Sequence, residues 1–361
     1  MEDNRKFDND GTEINSSIKG DDFPHHEPIT ESEPPLRKRF NWSKLALVLI
    51  LVGLGLYGIG HLADYSGGGI IFDGGRFQIH EASYEANFIG FSQDIDYVTI
   101  NTTSIRVIIE PASQGESGGV HLINVEPSVL NISDGRINID TRPIERRTQF
   151  HLFNFNQMRR EILIQLPVDA ELLDVEVRST SGSVRIGGVN ADLIAATSTS
   201  GSVRLNDSQA LSIRAVSTSG SVHMNNLQAP SLYARSTSGS VRGESLDILE
   251  GELRSTSGSI NVSDIIWLNL QANSTSGAVR ITNGEVRTNM ASTTALQSTS
   301  GSANLEIRGN RDDFSYTIST TSGTARINGE SHGRGTITDG RGEHTISIRT
   351  VSGSSRLNFI N

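Results

Sequence analysis

Six arginines, Arg185, Arg204, Arg242, Arg280, Arg326 and Arg356, each stand three residues after a glycine in a recurring phrase, S-T-S-G-S-V-R. His223, Asn261 and Asn304 hold the same place in the remaining repeats. A guanidinium is planar and always charged, and it binds phosphate or carboxylate through paired hydrogen bonds, whereas a lysine acts as a point charge. A column of arginines at a fixed repeat is therefore chemistry for holding a polyanion. Lys6, Lys19, Lys38 and Lys44 all precede an apolar stretch that begins at residue 45, so beyond it formal positive charge is carried by arginine alone. Such a column suits teichoic acids or anionic lipid head groups. It has a plainer reading as well: outward arginines keep strands soluble and pair with carboxylates in turns. From residue 171 onward 16 arginines face 17 aspartates and glutamates, so this region is near neutral. The whole chain carries −10, which argues against general nucleic-acid binding.

Other chemistries find less support. Asp192, Asp207, Asp247 and Asp264 fall at turns, scattered rather than stacked, and do not form the carboxylate pair that glycoside cleavage requires. Serine is abundant, but no G-x-S-x-G elbow is present and no histidine keeps a constant offset from it. The nine histidines lack metal-ligand spacing, and with no cysteine neither disulfides nor thiolate metal sites form. No P-loop or dinucleotide fingerprint occurs. The expectation is a protein with no catalytic residues, metal or cofactor. A second outward column, Thr180, Thr199, Thr218, Thr237, Thr256, Thr275, Thr299 and Thr321, brings ice-binding surfaces to mind. Those use two threonine ranks, and the position two residues earlier holds Arg178, Thr197, Val216, Arg235, Arg254 or Asn273.

These columns need a scaffold that repeats. The glycines are Gly182, Gly201, Gly220, Gly239, Gly258, Gly277, Gly301, Gly323 and Gly353, with spacings of 19, 19, 19, 19, 19, 24, 22 and 30. A period of this size marks a solenoid, in which each repeat buries its apolar face on its neighbours. Before the glycine, positions −7, −5, −3 and −1 alternate with their neighbours, as in Ile213, Ala215, Ser217 and Ser219. After it, positions +2 and +4 do so, as in Val203 and Leu205. Each limb is thus a strand with one buried face, and the parity change at the glycine requires a bend. The inward serines at −3 and −1 need hydrogen-bond partners, which the backbone of a tight corner can offer. Each repeat reads as two short strands around a glycine corner, closed by a polar turn such as Gly187-Gly188-Val189-Asn190. Nine coils at ~4.8 Å make a rod roughly 40 Å long.

The rest of the chain frames this rod. Residues 1–44 are acidic and proline-bearing, a disordered cytoplasmic tail that is either simply solvated or a docking segment. Residues 45–63 are long and apolar enough for one transmembrane helix, with Arg37, Lys38, Arg39 and Lys44 on the cytoplasmic side. An uncleaved single-pass anchor fits better than a signal peptide, because the leader is long and lacks a clear cleavage site. Residues 64–80 read as a glycine-rich linker. Residues 81–170 form a β-rich cap with a hairpin at Asp134-Gly135, a strand at Glu161–Leu166, and Phe150, Phe153 and Phe155 as core or as a partner surface. Residues 171–361 are the solenoid. Gly329–His344 reads as a wide turn or hairpin over its far end.

Leu166-Pro167, Leu173 and the run Val175–Ile186, with its V-x-V-x-S-x-S-G-S-V-R-I pattern, resemble a bacterial cell-surface family of adhesin-like β-strand-repeat domains of unknown function. The resemblance covers roughly residues 90–361. It implies a solenoid outside the membrane, an envelope-stress context, and no catalytic residues to carry over. The expected protein is all-β: a parallel β-solenoid (β-helix) of about nine coils with an N-terminal β cap, preceded by one transmembrane helix. It would sit in the cell membrane with its N-terminus cytoplasmic and act as a non-enzymatic, adhesin-like module. Its expected partners are the membrane and an anionic cell-wall polymer or an envelope protein. Two alternatives stay open: an envelope-stress co-sensor working through a protein partner, and a carbohydrate-active β-helix enzyme.

Overall fold

The computed structural model describes residues 86–116, 118–145 and 160–360, the strands Gly68–Asp73, Arg76–Glu81 and Phe150–Asn154, and isolated positions near residue 50. The chain divides into two compact units, Met1–Tyr65 and Ser66–Asn361. In the first, Leu47, Ile50, Val52 and Gly53 are helical. The remainder of the apolar stretch 45–63, the acidic tail and Phe155 lie outside the described residues. Among the described residues no helix is long and apolar enough to cross a membrane.

In the second unit, period-two alternation produces strands as expected. Val203–Ser217 reads buried at Val203, Leu205, Ser208, Ala210, Ile213, Ala215 and Ser217. That pattern changes parity twice inside the strand, between 205 and 208 and between 210 and 213. With the glycine corner this makes three sides per coil, not two. The first of these bends falls on a residue with left-handed backbone: Asp207 (φ 48°), Asn226 (51°), Ser245 (55°), Asp264 (54°) and Asn283 (53°). Gly188 (φ 63°) does the same in the first repeat. Asn, Asp and Gly reach this region at least cost. The stretch Gly187–Asn190 is accordingly not a solvated closing turn. Its Val189 is buried and begins the third side.

The coils stack in parallel register. On the long side, Arg136–Asp140, Tyr97–Thr102, Glu171–Ser179, Asn190–Ser198 and the ends of Val203–Ser217, Val222–Ser236 and Val241–Ser255 follow one another. Asn269–Ser274, Thr293–Ser298, His344–Thr350 and Phe314–Ile327 continue the series. The parallel stack therefore reaches upstream of residue 171. Tyr97–Thr102 and Arg106–Pro111 make a further coil whose corner carries Ile105 in place of glycine. Above it, Glu161–Leu166 pairs in parallel with Arg106–Pro111 and antiparallel with Gly119–Ile123, which pairs with Ala86–Gly90. The Asp134-Gly135 hairpin joins Leu130–Ser133 to Arg136–Asp140.

At the far end the chain order and the stacking order part. The last coil in sequence, with Gly353, lies between the Gly301 and Gly323 coils. Glu330–Asp339 then folds back antiparallel on Phe314–Ile327 and covers the end, as a hairpin. One core of Ile, Val, Leu and Ala runs the length of the stack, with Trp267, Phe314 and Tyr316 as its largest fully buried side chains.

Two features of the corner differ from expectation. The repeat glycines have no left-handed φ. They are needed for close approach: a Cβ on Gly201 would lie 2.1 Å from the carbonyl oxygen of Gly182, and on Gly220 2.2 Å from that of Gly201. The serine at −1 points outward, as Ser200 and Ser219 show, while that at −3 is buried. From Ser198 to Ser298 the buried hydroxyl is used twice. Ser217 Oγ accepts from Gly220 N–H (2.9 Å) and donates to the Gly201 carbonyl one coil below (2.9 Å), and the same pair of bonds recurs at Ser198, Ser236, Ser255, Ser274 and Ser298.

Candidate functional site

The short side that follows each glycine corner carries the arginine column. Its strands alternate Val-in, Arg-out, Leu-in, Asn-out, so positions +3 and +5 both face solvent. Strand pairing sets the +3 residues opposite one another in the order Arg185, Arg204, His223, Arg242, Asn261, Arg280, Asn304, Arg356, Arg326. All six predicted arginines thus join one rank, with Arg356 ahead of Arg326 because of the swapped final coils. Arg185, Arg204, Arg242, Arg280 and Arg356 are exposed; Arg326, His223, Asn261 and Asn304 are half-buried.

Some arginines outside this rank are held in ion pairs. Arg106 pairs with Glu161 (3.6 Å), Arg308 with Glu285 (3.8 Å) and Arg311 with Asp339 (2.7 Å); Arg178, Arg254 and Arg287 pair with Glu176, Glu252 and Asp247. Among the described residues none of the six rank arginines makes an ion pair. The expected pairing with turn carboxylates is absent there: Asp247 pairs with Arg287, while Asp207 and Asp264 accept hydrogen bonds from Asn226 (2.8 Å) and Asn283 on neighbouring coils. These last acids do stack, in the left-handed rank at +6, though asparagine or serine separates them.

The second outward rank, Asn206, Asn225, Glu244, Ser263 and Thr282, was not singled out from the sequence, although its even spacing from the arginines was the signal for it. The two ranks line a shallow depression of about 520 Å³ that runs from Arg204 to Arg280. Glu244 is its one carboxylate. His223 sits between Arg204 and Arg242, and its imidazole is held below its ordinary pKa, first by burial and then by the two guanidiniums. The depression is therefore electropositive, edged with amides and hydroxyls, and open to a ligand from one side.

The threonine rank is exposed at the glycine corners, apart from the half-buried Thr237. Phe150 and Phe153 lie on a strand paired with Gly68–Asp73. The described residues contain no cluster of three or more His, Asp or Glu able to hold a metal ion.

A family model described as Toastrack DUF4097 matches residues 95–358. No curated protein matches the chain. Solved structures similar to it include a candidate cell adhesion protein from Clostridium sporogenes, at 9% identity over 77% of this chain and 100% of that one (TM-score 0.23). A candidate lipid binding protein from Parabacteroides distasonis is 14% identical over 78% and 98% (TM-score 0.36), and a candidate adhesin from Bacteroides fragilis 11% over 77% and 98% (TM-score 0.30).

Proposed function

We propose that this chain, which belongs to the Toastrack DUF4097 family, is a non-enzymatic, adhesin-like binding module of the bacterial cell envelope, and that its arginine rank holds an anionic envelope polymer. The observation that carries this reading is the rank itself. Six arginines stand in register on one side of the stack, free of ion pairs among the described residues, and three of them, Arg204, Arg242 and Arg280, line a depression with a single carboxylate. Unpaired surface charge of one sign attracts the opposite sign, and a fixed spacing turns attraction into selection. The reading as non-enzymatic rests on what the outward ranks offer: mostly guanidiniums, amides and hydroxyls, with one histidine, His223, and one carboxylate, Glu244, which no hydrogen bond joins into an acid–base pair among the described residues. Anchoring through residues 45–63, with the solenoid outside the membrane, rests on the apolar run and the flanking Arg37, Lys38, Arg39 and Lys44.

The test is sedimentation of the full-length protein with purified envelope across a salt series, beside a variant with Arg185, Arg204, Arg242 and Arg280 replaced by serine. These side chains are exposed and make no ion pair among the described residues, so the variant should keep its stability within about 0.5 kcal/mol. Wild-type binding should weaken with salt and be lost in the variant. Equal binding by both would overturn the rank as the site and point to a protein partner elsewhere on the molecule.

A further inference from the structure

We propose that the polymer held by this rank is linear, lies along the coil axis, and carries its phosphate groups two coil spacings apart with a hydroxyl-bearing linker between them. This rests on the polyanion reading above. From Arg204 to Arg356 the rank alternates strictly: Arg204, His223, Arg242, Asn261, Arg280, Asn304, Arg356. Adjacent parallel strands are ~4.8 Å apart, so successive guanidiniums stand ~9.6 Å apart and the four of them span ~29 Å. A ligand with denser charge would set every second anion against a neutral side chain.

The residues between the arginines say what lies between the anions. His223, Asn261 and Asn304 can each donate and accept a hydrogen bond, and Asn206, Asn225, Ser263 and Thr282 repeat that capacity on the +5 rank. An apolar linker would leave these groups without partners, whereas a polyol would satisfy them. His223 belongs with the neutral members at neutral pH, since burial and the flanking Arg204 and Arg242 disfavour its charged form. A lipid surface fits less well. The exposed apolar residues Leu211, Leu173 and Ile266 fall outside the two ranks that line the depression, and a concave strip offers a membrane little to rest on.

Multivalent contact gives a length dependence. Each added phosphate that reaches an arginine binds at the effective concentration set by the last. Affinity for oligo(ribitol phosphate) should rise steeply to about four phosphates and then level.

The deciding experiment measures binding of full-length protein to poly(ribitol phosphate), long-chain inorganic polyphosphate and phosphatidylglycerol vesicles at matched phosphate and moderate salt. It includes a variant that fills the rank, His223→Arg with Asn261→Arg and Asn304→Arg, whose folding is checked by circular dichroism. Wild type should prefer the polyol phosphate to polyphosphate on the order of tenfold, and the filled rank should reverse that order. Equal binding of both polymers by wild type, or equal strengthening of both in the filled rank, would show that charge alone matters and overturn the spacing while leaving the polyanion reading in place. Preference for vesicles would overturn the linear polymer. Failure to bind any of the three would bring down the polyanion reading itself.

Discussion

Ser236 Oγ accepts from Gly239 N–H (2.9 Å) and donates to the Gly220 carbonyl (2.8 Å), so one hydroxyl satisfies two buried backbone groups on successive coils. Ser236→Ala would orphan both and should cost about 1–3 kcal/mol in a denaturant titration. Ser179 supplies the control. It stands at the same place over the coil whose corner is Ile105, and its buried Oγ has no hydrogen-bond partner. Ser179→Ala should therefore change stability by less than about 0.5 kcal/mol. If the two substitutions cost the same, the hydroxyl ladder is not what stabilises the corner. Gly220→Ala would press a methyl group against the Gly201 carbonyl, where side-chain rotation gives no relief, and should cost about 3 kcal/mol or more. His223 adds a pH dependence. Its folded pKa is lowered by burial and by Arg204 and Arg242, with Glu244 the nearby carboxylate and Arg280 two strands further on. The unfolded chain then takes up the proton more readily, so this histidine erodes stability as pH falls below about 6.5. A bound anion favours the protonated ring, so polyanion binding should tighten over the same interval. Titrations at pH 7.5 and pH 5 should show both trends in wild type, and both should be weaker in His223→Gln.

The coil is the scale at which sequence and structure diverge. The buried faces were legible because Val, Leu and Ile alternate strictly with Arg, Asn and Ser, and the arginine rank was legible because it keeps a constant offset from an invariable glycine. The second corner was not. Its left-handed position is filled by Gly188, Asp207, Asn226, Ser245, Asp264 and Asn283, which share a backbone preference rather than an identity, and the strand pairing skips that residue and resumes in the same register. The Ile105 coil was hidden for a related reason. The glycine is demanded by a carbonyl stacked beneath it, and the strand below this coil, Arg136–Asp140, ends before the corner, so the glycine requirement lapses. Ser245 is the member of the left-handed rank least suited to its backbone, with asparagine at Asn226 below it and aspartate at Asp264 above. Ser245→Asn should stabilise the protein by about 0.5 kcal/mol, both by easing the backbone and by extending the side-chain ladder seen between Asn226 and Asp207. A lower thermal midpoint for this variant would show that the corner is set by something other than its φ angle.

Across the whole molecule, repetition creates an ambiguity that the ends must resolve. Corners so nearly alike in sequence offer almost the same surface above and below, so local pairing alone does not dictate which coil follows which. That is why the insertion of the Gly353 coil between those of Gly301 and Gly323 could not be read from the repeat. What fixes it is the hairpin. Glu330–Asp339 pairs antiparallel along Phe314–Ile327, and Arg311 and Tyr316 both bond Asp339 at 2.7 and 3.0 Å. These contacts, with the Gly340 N–H first among them, hold the Asp339 carboxyl below the usual carboxylate range, so what it contributes is present above its unfolded pKa and is lost as pH falls through the lowered one. The hairpin occupies the open face of the Gly323 coil and leaves only its other face for the incoming last strands. The final coil is thus the keystone between the terminal hairpin and the rest of the stack. Removing residues 344–361 would strip Thr293–Ser298 and Ala303–Arg308 of their upper neighbours and leave Phe314–Ile327 paired only with its hairpin. Exposed parallel edges of this kind recruit other chains. The truncated protein should melt at a lower temperature and self-associate in sedimentation velocity, whereas a cut that spares this coil, at residues 331–338 of the hairpin, should lower the midpoint less. Equal loss from both cuts would mean that the two terminal coils act as one cap, and that the order of stacking contributes nothing of its own to the stability of the rod.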